Sequence, residues 1–236
     1  MIAIIPAAGL GKRMRSLSGS GSKEMLSVAG KPLIDYCIAE AWGAEVGEVF
    51  VVSSAAKPDL NKHLADRGES VRVLFQPEPT GLAPAVFLAG LRKAAVVLLP
   101  DALFYPSSPT KRIVRALVEG YEIVLPTQQV SDSEVNKFGI LDEDASPPSL
   151  LEKPNSADTK SRSAIGGRFG FSSTALQVMA VGMFENPQMD LPLSPLINAA
   201  LKMGLSFKQL PLTESERRFD CGSVSGFRQA QKVLGP

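Results

Sequence analysis

Ile2-Ala3-Ile4-Ile5-Pro6-Ala7-Ala8-Gly9-Leu10-Gly11-Lys12-Arg13-Met14-Arg15 is the stretch from which the fold is read. Its apolar start, Ile2–Ile5, reads as a short buried strand. The small residues after it let the backbone approach a ligand closely, and successive free N–H groups there can cradle phosphate oxygens. Lys12, Arg13 and Arg15 follow at once. The segment is not a Walker A loop, because the Gly-Lys-Ser/Thr spacing is absent. Nor is it the G-x-G-x-x-G dinucleotide fingerprint, whose third glycine is missing. Taken alone it reads equally well as a glycine-rich strand-to-helix turn with exposed cations.

Beyond this turn, apolar runs alternate with amphipathic stretches. Val49–Ser53, Val71–Phe75 and Ala95–Leu99 read as further strands. Pro32–Trp42, with Pro at its first position, reads as a helix, as do Asp59–Ala65 and Leu82–Lys93. Strands that alternate with helices predict an α/β fold with right-handed crossovers and a mostly parallel sheet. The second half is less regular. Ile123–Pro126, Phe138–Leu141, Leu150–Glu152 and Ile165–Phe171 read as strands, with helices at Leu193–Met203 and Ser225–Leu234. No repeat or linker interrupts the chain, so one domain is expected, with halves at about residues 1–126 and 127–236.

The chain has 236 residues and 44% hydrophobic residues, enough for a sizeable core. Lys and Arg total 25 against 24 Asp and Glu. That balance argues against a nucleic-acid surface or a polybasic membrane contact, so any phosphate binding must come from a local cluster. Two cysteines, Cys37 and Cys221, are too few for a disulfide framework or a structural zinc site. The start of the sequence lacks the basic and long apolar regions of a signal peptide, and no run reaches the ~20 apolar residues of a membrane span. A cytoplasmic protein is the expectation.

Later motifs decide the reading of the glycine-rich turn. Ser22-Lys23-Glu24-Met25-Leu26 and Gly30-Lys31-Pro32 follow it, then Gln76-Pro77-Glu78-Pro79-Thr80-Gly81-Leu82-Ala83 and Leu98-Leu99-Pro100-Asp101. Phe138-Gly139, Glu152-Lys153-Pro154, Gly166-Gly167-Arg168-Phe169 and Phe219-Asp220-Cys221-Gly222 complete the series. In this order, over nearly the whole chain, the sequence resembles the nucleotide-sugar pyrophosphorylases, closest to the bacterial UTP:glucose-1-phosphate branch. The resemblance implies a three-layer α/β/α Rossmann-like fold with a mixed, mostly parallel sheet.

It also implies roles. Ala7, Ala8, Gly9, Gly11 and Lys12 would wrap the nucleotide, while Arg13 and Lys23 bind the triphosphate and stabilise the departing pyrophosphate. Gln76 would read the imide edge of uracil or thymine, with Gly81 beside the base. Asp101 and Asp220 would hold Mg²⁺, a hard cation suited to carboxylates and phosphate oxygens. Gly139 and Gly167 would face the sugar, Glu152 would accept from its hydroxyls, and Lys153 would hold its phosphate. The partners implied are a nucleoside triphosphate and a sugar 1-phosphate, with homo-oligomers common among relatives.

The pattern also departs from the family's. Lys12 stands at a usual Thr or Ser, Ser16 and Ser22 replace prolines, and Pro84 follows the nucleobase element. Gly19–Gly21 implies an unusually flexible loop, and the family's acidic element is reduced to Gln188-Met189-Asp190. A thymidylyltransferase using dTTP shares Gln76 and its neighbours and stays open. A cytidylyltransferase for a non-sugar phosphate would not need the Glu152-Lys153-Pro154 element. A catalytically silent nucleotide-binding protein has the departures as its only support. His63 reads as solvated, Cys221 as a small buried residue, and Trp42 as packed at the end of its helix. With one histidine in the chain, no Ser/His/Asp or Cys/His set is available.

Overall fold

Strand β1 (Ile2–Pro6) shows the layering in miniature: Ile2 and Ile4 point into one core, Ala3 and Ile5 into another. A strand buried on both faces needs an unbroken apolar run, which is what the sequence supplies. The computed structural model describes residues 1–185 and 191–235. The glycine-rich turn leads to helix α1 (Arg15–Ser18), a small hairpin of β2 (Ser27–Val28) and β3 (Lys31–Pro32), and helix α2 (Leu33–Gly43). Then come β4 (Glu48–Ser53), α3 (Pro58–Ala65), β5 (Arg72–Phe75), α4 (Leu82–Leu88), β6 (Ala95–Leu98) and β7 (Ala102–Pro106). Helix α5 (Thr110–Val118) leads to β8 (Ile123–Gln129), β9 (Gly139–Asp142), β10 (Ser149–Glu152), β11 (Ser163–Ile165) and β12 (Arg168–Phe171). The chain continues through α6 (Ser173–Glu185), α7 (Ser194–Lys202), β13 (Phe207–Pro211), β14 (Glu216–Asp220) and α8 (Val224–Leu234).

A ten-stranded sheet runs in the order β10-β9-β11-β8-β12-β6-β1-β4-β5, with β13 paired to β8. The strands β6, β1, β4 and β5 are mutually parallel. Those of the second half pair antiparallel, apart from β13 with β8. One core packs α2, α3 and α5 on one face through Ile34, Leu60 and Ile113, and the other packs α4, α6 and α7 through Val86, Leu176 and Ile197. The expected three-layer α/β/α fold with a mixed sheet is therefore present. Strands β7 and β14 form a separate antiparallel ribbon, with α8 packed on it through Phe227.

Several expected boundaries move for local reasons. The helix expected over Leu82–Lys93 ends at Leu88, because Gly90 takes a φ of +98°. The strand expected over Ile165–Phe171 is two strands, broken where Gly167 takes a φ of +75°. Pro32 caps α2 from outside, at ψ 145°, and does not open its first turn. Trp42 is exposed and makes no end-of-helix core. His63 is half-buried, with Nε2 2.8 Å from Asp35 Oδ1, so the solvated reading does not hold. The Gly19–Gly21 loop is tied down at its end, where Ser22 donates through N and Oγ to Asp59 at 2.7 and 2.6 Å. Gln188-Met189-Asp190 lies outside the described residues. No helix among the described residues is long and apolar enough to cross a membrane.

Candidate active site

In an open α/β sheet, ligands bind beyond the carboxyl ends of the parallel strands. Three of the expected segments lie there, the glycine-rich turn after β1, Gln76 after β5 and Asp101 after β6, and Ser54 follows β4 beside them. Ala7 donates to Val52 O at 2.7 Å, which fixes the start of the turn, and Gly11 adopts a φ of +61°. That conformation lays the turn on the alkyl stem of Lys23, whose Cγ would be 3.4 Å from a Cβ at position 11. Lys12 and Arg13 are exposed on the following 3₁₀ turn.

Lys23 Nζ donates to Asp101 Oδ2 at 2.6 Å, joining two residues far apart in the chain. Burial works to lower the Lys23 ammonium, but Asp101 and Glu24 beside it outweigh that and raise its pKa. Burial pushes the Asp101 carboxyl up, and Lys23 and Arg13 more than offset it, holding the carboxyl below its ordinary value. The pair is therefore ionised at neutral pH.

The β7–β14 ribbon brings Asp220 to the same place. Its register sets Asp220 opposite Ala102, and Cys221 donates its N–H to Asp101 O at 2.7 Å. A Cβ added at Gly222 would lie 3.0 Å from Asp101 Oδ2 and 3.2 Å from Asp220 Oδ1. Both carboxylates thus converge on one small space that glycine leaves open. No group of three or more His, Cys, Asp or Glu side chains among the described residues is arranged to hold a metal ion by itself. Any cation held here would complete its shell with ligand oxygens and water.

Gln76 is buried, unlike most loop glutamines, and donates through Nε2 to Thr80 Oγ1 at 3.3 Å and Gly81 O at 3.2 Å. Gly81, at a φ of +111°, opens α4. In the second half, Glu152 Oε2 accepts from Ser194 Oγ at 2.7 Å, and a Cβ at Gly139 would lie 3.8 Å from that same oxygen. Lys153 holds a left-handed φ of +46° and keeps its ammonium 3.7 Å from Glu152 Oε1, both side chains largely exposed. Gly167 joins the two halves. A Cβ there would sit 2.6 Å from Ala102 Cβ, so only glycine lets this strand pass beside Asp101.

Several polar residues of this region escape sequence reasoning. Lys57 is buried and donates to Ala7 O at 2.5 Å and Glu24 Oε2 at 2.7 Å, tying the glycine-rich turn to the Lys23 turn. Burial lowers its pKa against the pull of Glu24. A cleft of about 440 Å³ opens between these parts, lined by Gly11, Arg15, Lys23, Ser54 and Lys57. Arg168 and Glu40 form a buried pair behind Asp101, and Arg218 lies on β14 beside Asp220. Ser194 was likewise not expected. No short motif marks these residues, since each acts with partners distant in the chain.

A model of the nucleotidyl transferase family matches residues 2–234. The UTP–glucose-1-phosphate uridylyltransferase of Bacillus subtilis is 30% identical, over 95% of this chain and 87% of its own. A UDP-glucose pyrophosphorylase structure from Acinetobacter baumannii aligns with a TM-score of 0.81 at 26% identity, covering 100% of this chain and 94% of that one. The structure of a putative glucose-1-phosphate thymidylyltransferase from Bacillus anthracis shares the fold, with a TM-score of 0.82 at 20% identity over 99% of this chain and 95% of that one. With the motifs in order and the carboxylates converged, the chain belongs to the nucleotidyl transferase family, among its sugar-1-phosphate nucleotidyltransferases.

Proposed function

We propose that the protein joins glucose 1-phosphate to UTP, giving UDP-glucose and pyrophosphate. The carrying observation is the convergence of Asp101 and Asp220 beside Gly222, next to Lys23 and the glycine-rich turn. Likeness to the Bacillus subtilis and Acinetobacter baumannii proteins supports this substrate pair. Gln76 supports a uracil-type base: with Nε2 engaged by Thr80 and Gly81, its Oε1 is left to accept the imide N–H.

The two carboxylates and the open space between them fit a divalent cation, and we assign Mg²⁺ to Asp101 and Asp220. When bound, it neutralises phosphate oxygens that would otherwise repel one another. The chain's own residues align the reactants. Ala7, Ala8, Gly9 and Gly11 wrap the nucleotide, while Lys12, Arg13 and Lys23 face the triphosphate. Glu152, fixed by Ser194, accepts from sugar hydroxyls beside Gly139 and Gly167, and Lys153 holds the sugar phosphate. An oxygen of that phosphate attacks the α-phosphorus, and the bond to the β-phosphate oxygen breaks. Pyrophosphate leaves with the electron pair toward Arg13 and Lys23. The attacking phosphate is already ionised at neutral pH, so no base is required and catalysis rests on alignment and charge.

Pyrophosphate release is the test, across UTP, dTTP, CTP, GTP and ATP, each with glucose 1-phosphate and Mg²⁺. Release with UTP is expected. Release with dTTP alone would make the chain a thymidylyltransferase, whose fold it also shares. Silence with all five overturns the proposal.

Lys57 gives a second check. Lys57→Met is expected to raise the KM for UTP by about tenfold, the worth of one charge-assisted hydrogen bond, because Ala7 O and Glu24 lose their shared donor. Steady-state kinetics measure it, and an unchanged KM would remove Lys57 from nucleotide binding.

A further inference from the structure

Two arginines lie near Asp101, Arg168 buried and Arg218 half-buried, and their surroundings differ sharply. Arg168 spends its donors on Glu40 and on the carbonyls of Leu99, Gly167 and Ala102. Arg218 has one long hydrogen bond, from Nη1 to Ile165 O at 3.3 Å, and its Nε is buried with no partner. It forms no ion pair among the described residues, although Asp220, Asp101 and Glu134 all act on it from a distance and Arg168 opposes them. A guanidinium held this way is costly to the fold, since a buried donor without an acceptor loses its hydration and gains nothing in return.

Its position explains the arrangement. Arg218 precedes Asp220 by two residues on β14, so both side chains leave the same face of the strand. Its guanidinium carbon lies 4.2 Å from the centroid of the Phe138 ring, next to Gly139, and Nη1 reaches Ile165 O. It therefore links the face of β14 that carries Asp220 to the strands of the second half. The Phe138 ring orients the guanidinium, and Nη2 makes no hydrogen bond to the protein among the described residues, so a donor remains for a phosphate oxygen, which arginine suits.

We propose that Arg218 binds the phosphate of the sugar 1-phosphate, holding it for attack on the nucleotide. The assignment rests on the reaction proposed above and adds to it a second cation, besides Lys153, for the acceptor phosphate. The unmet donors are those that the acceptor phosphate would satisfy.

The test compares wild type with Arg218→Met and Arg218→Lys in the full chain. Arg218→Met is expected to raise the KM for glucose 1-phosphate by about 10- to 100-fold while the KM for UTP changes less than about threefold. Arg218→Lys is expected to recover part of the loss, since it keeps the charge without the fork. The melting temperature of Arg218→Met is expected to stay level or rise, because a buried donor without a partner has been removed. A fall in melting temperature with both KM values unchanged would make Arg218 structural and overturn the proposal. An equal rise in both KM values overturns it as well. If wild type turns over no nucleotide, the reaction fails first, and calorimetry with glucose 1-phosphate then decides Arg218 by itself. Binding by wild type that is lost in Arg218→Met sustains the phosphate site. Equal binding, or none by wild type, removes it.

Discussion

Asp101→Asn and Asp220→Asn are each expected to lower turnover by roughly a hundredfold or more with the fold intact, the scale of losing a main charge-stabilising group. Both carboxylates face the space beside Gly222, and an amide keeps their shape while removing the charge that a divalent cation and its phosphate ligands require. The two variants should differ in one respect. Burial pulls the Lys23 ammonium down and Asp101, with Glu24, raises it, so Asp101→Asn removes the first of the raising partners and the ammonium releases its proton at lower pH. The sign is fixed: wild-type Lys23, with its pKa raised, stays charged through neutral pH and loses its proton only above the ordinary lysine range. In Asp101→Asn the alkaline limb of kcat/KM therefore moves to lower pH, whereas in Asp220→Asn it stays in place. Pyrophosphate-release kinetics across pH, with circular dichroism as the fold check, measure both effects. Near-normal turnover in either variant would take that residue out of the cation site.

The first half of this arrangement is legible in the sequence because parallel strands buried on both faces read as unbroken apolar runs. Ile2–Ile5, Val49–Ser53 and Ala95–Leu98 are of that kind, and Asp101 then falls at a strand end by arithmetic alone. Helix α5 carries a different signal, a short amphipathic spacing in which Ile113 and Ala116 turn inward among Lys111, Arg112 and Arg115. Helix α6 is apolar nearly all round, so no periodicity marks it. The β7–β14 ribbon depends on pairing Ala102 with Asp220 across more than a hundred residues, which no local pattern encodes. Lys57 and Arg218 fail to show for a related reason. A lysine or arginine in a polar stretch reads as solvated, and only the fold reveals that Glu24 waits for one and that Phe138 holds the other. Gln76 shows the converse: its local sequence reads as an open loop, yet the fold buries it.

Arg168→Met is expected to destabilise the protein by about 3–5 kcal/mol, the range for removing one partner of a buried ion pair. In a chain of this size that lowers the melting temperature by on the order of 10 °C. Arg168 is 1% exposed and pairs through Nε and Nη2 with both oxygens of Glu40, each at 2.7 Å, while Thr110 also donates to Glu40. Its remaining donors reach Leu99 O at 3.0 Å and Ala102 O at 2.8 Å, the carbonyls on either side of Pro100-Asp101. Burial disfavours the guanidinium, but Glu40 and the other anionic neighbours raise its pKa further, so it remains charged at every pH the fold survives. Without it Glu40 keeps an uncompensated charge in a largely buried place, and the loop that presents Asp101 loses two of its ties. A second substitution separates these consequences. Arg168→Met combined with Glu40→Leu removes the stranded charge and should regain most of the stability, since a buried pair replaced by apolar side chains is often close to neutral. Turnover should stay depressed in the double variant, because Leu99 O and Ala102 O still lack the guanidinium that bridges them and the loop carrying Asp101 is held less firmly. Recovery of both stability and turnover would show that the clamp serves the fold alone. Recovery of stability without turnover would show that part of this fold's buried charge exists to hold one carboxylate in place.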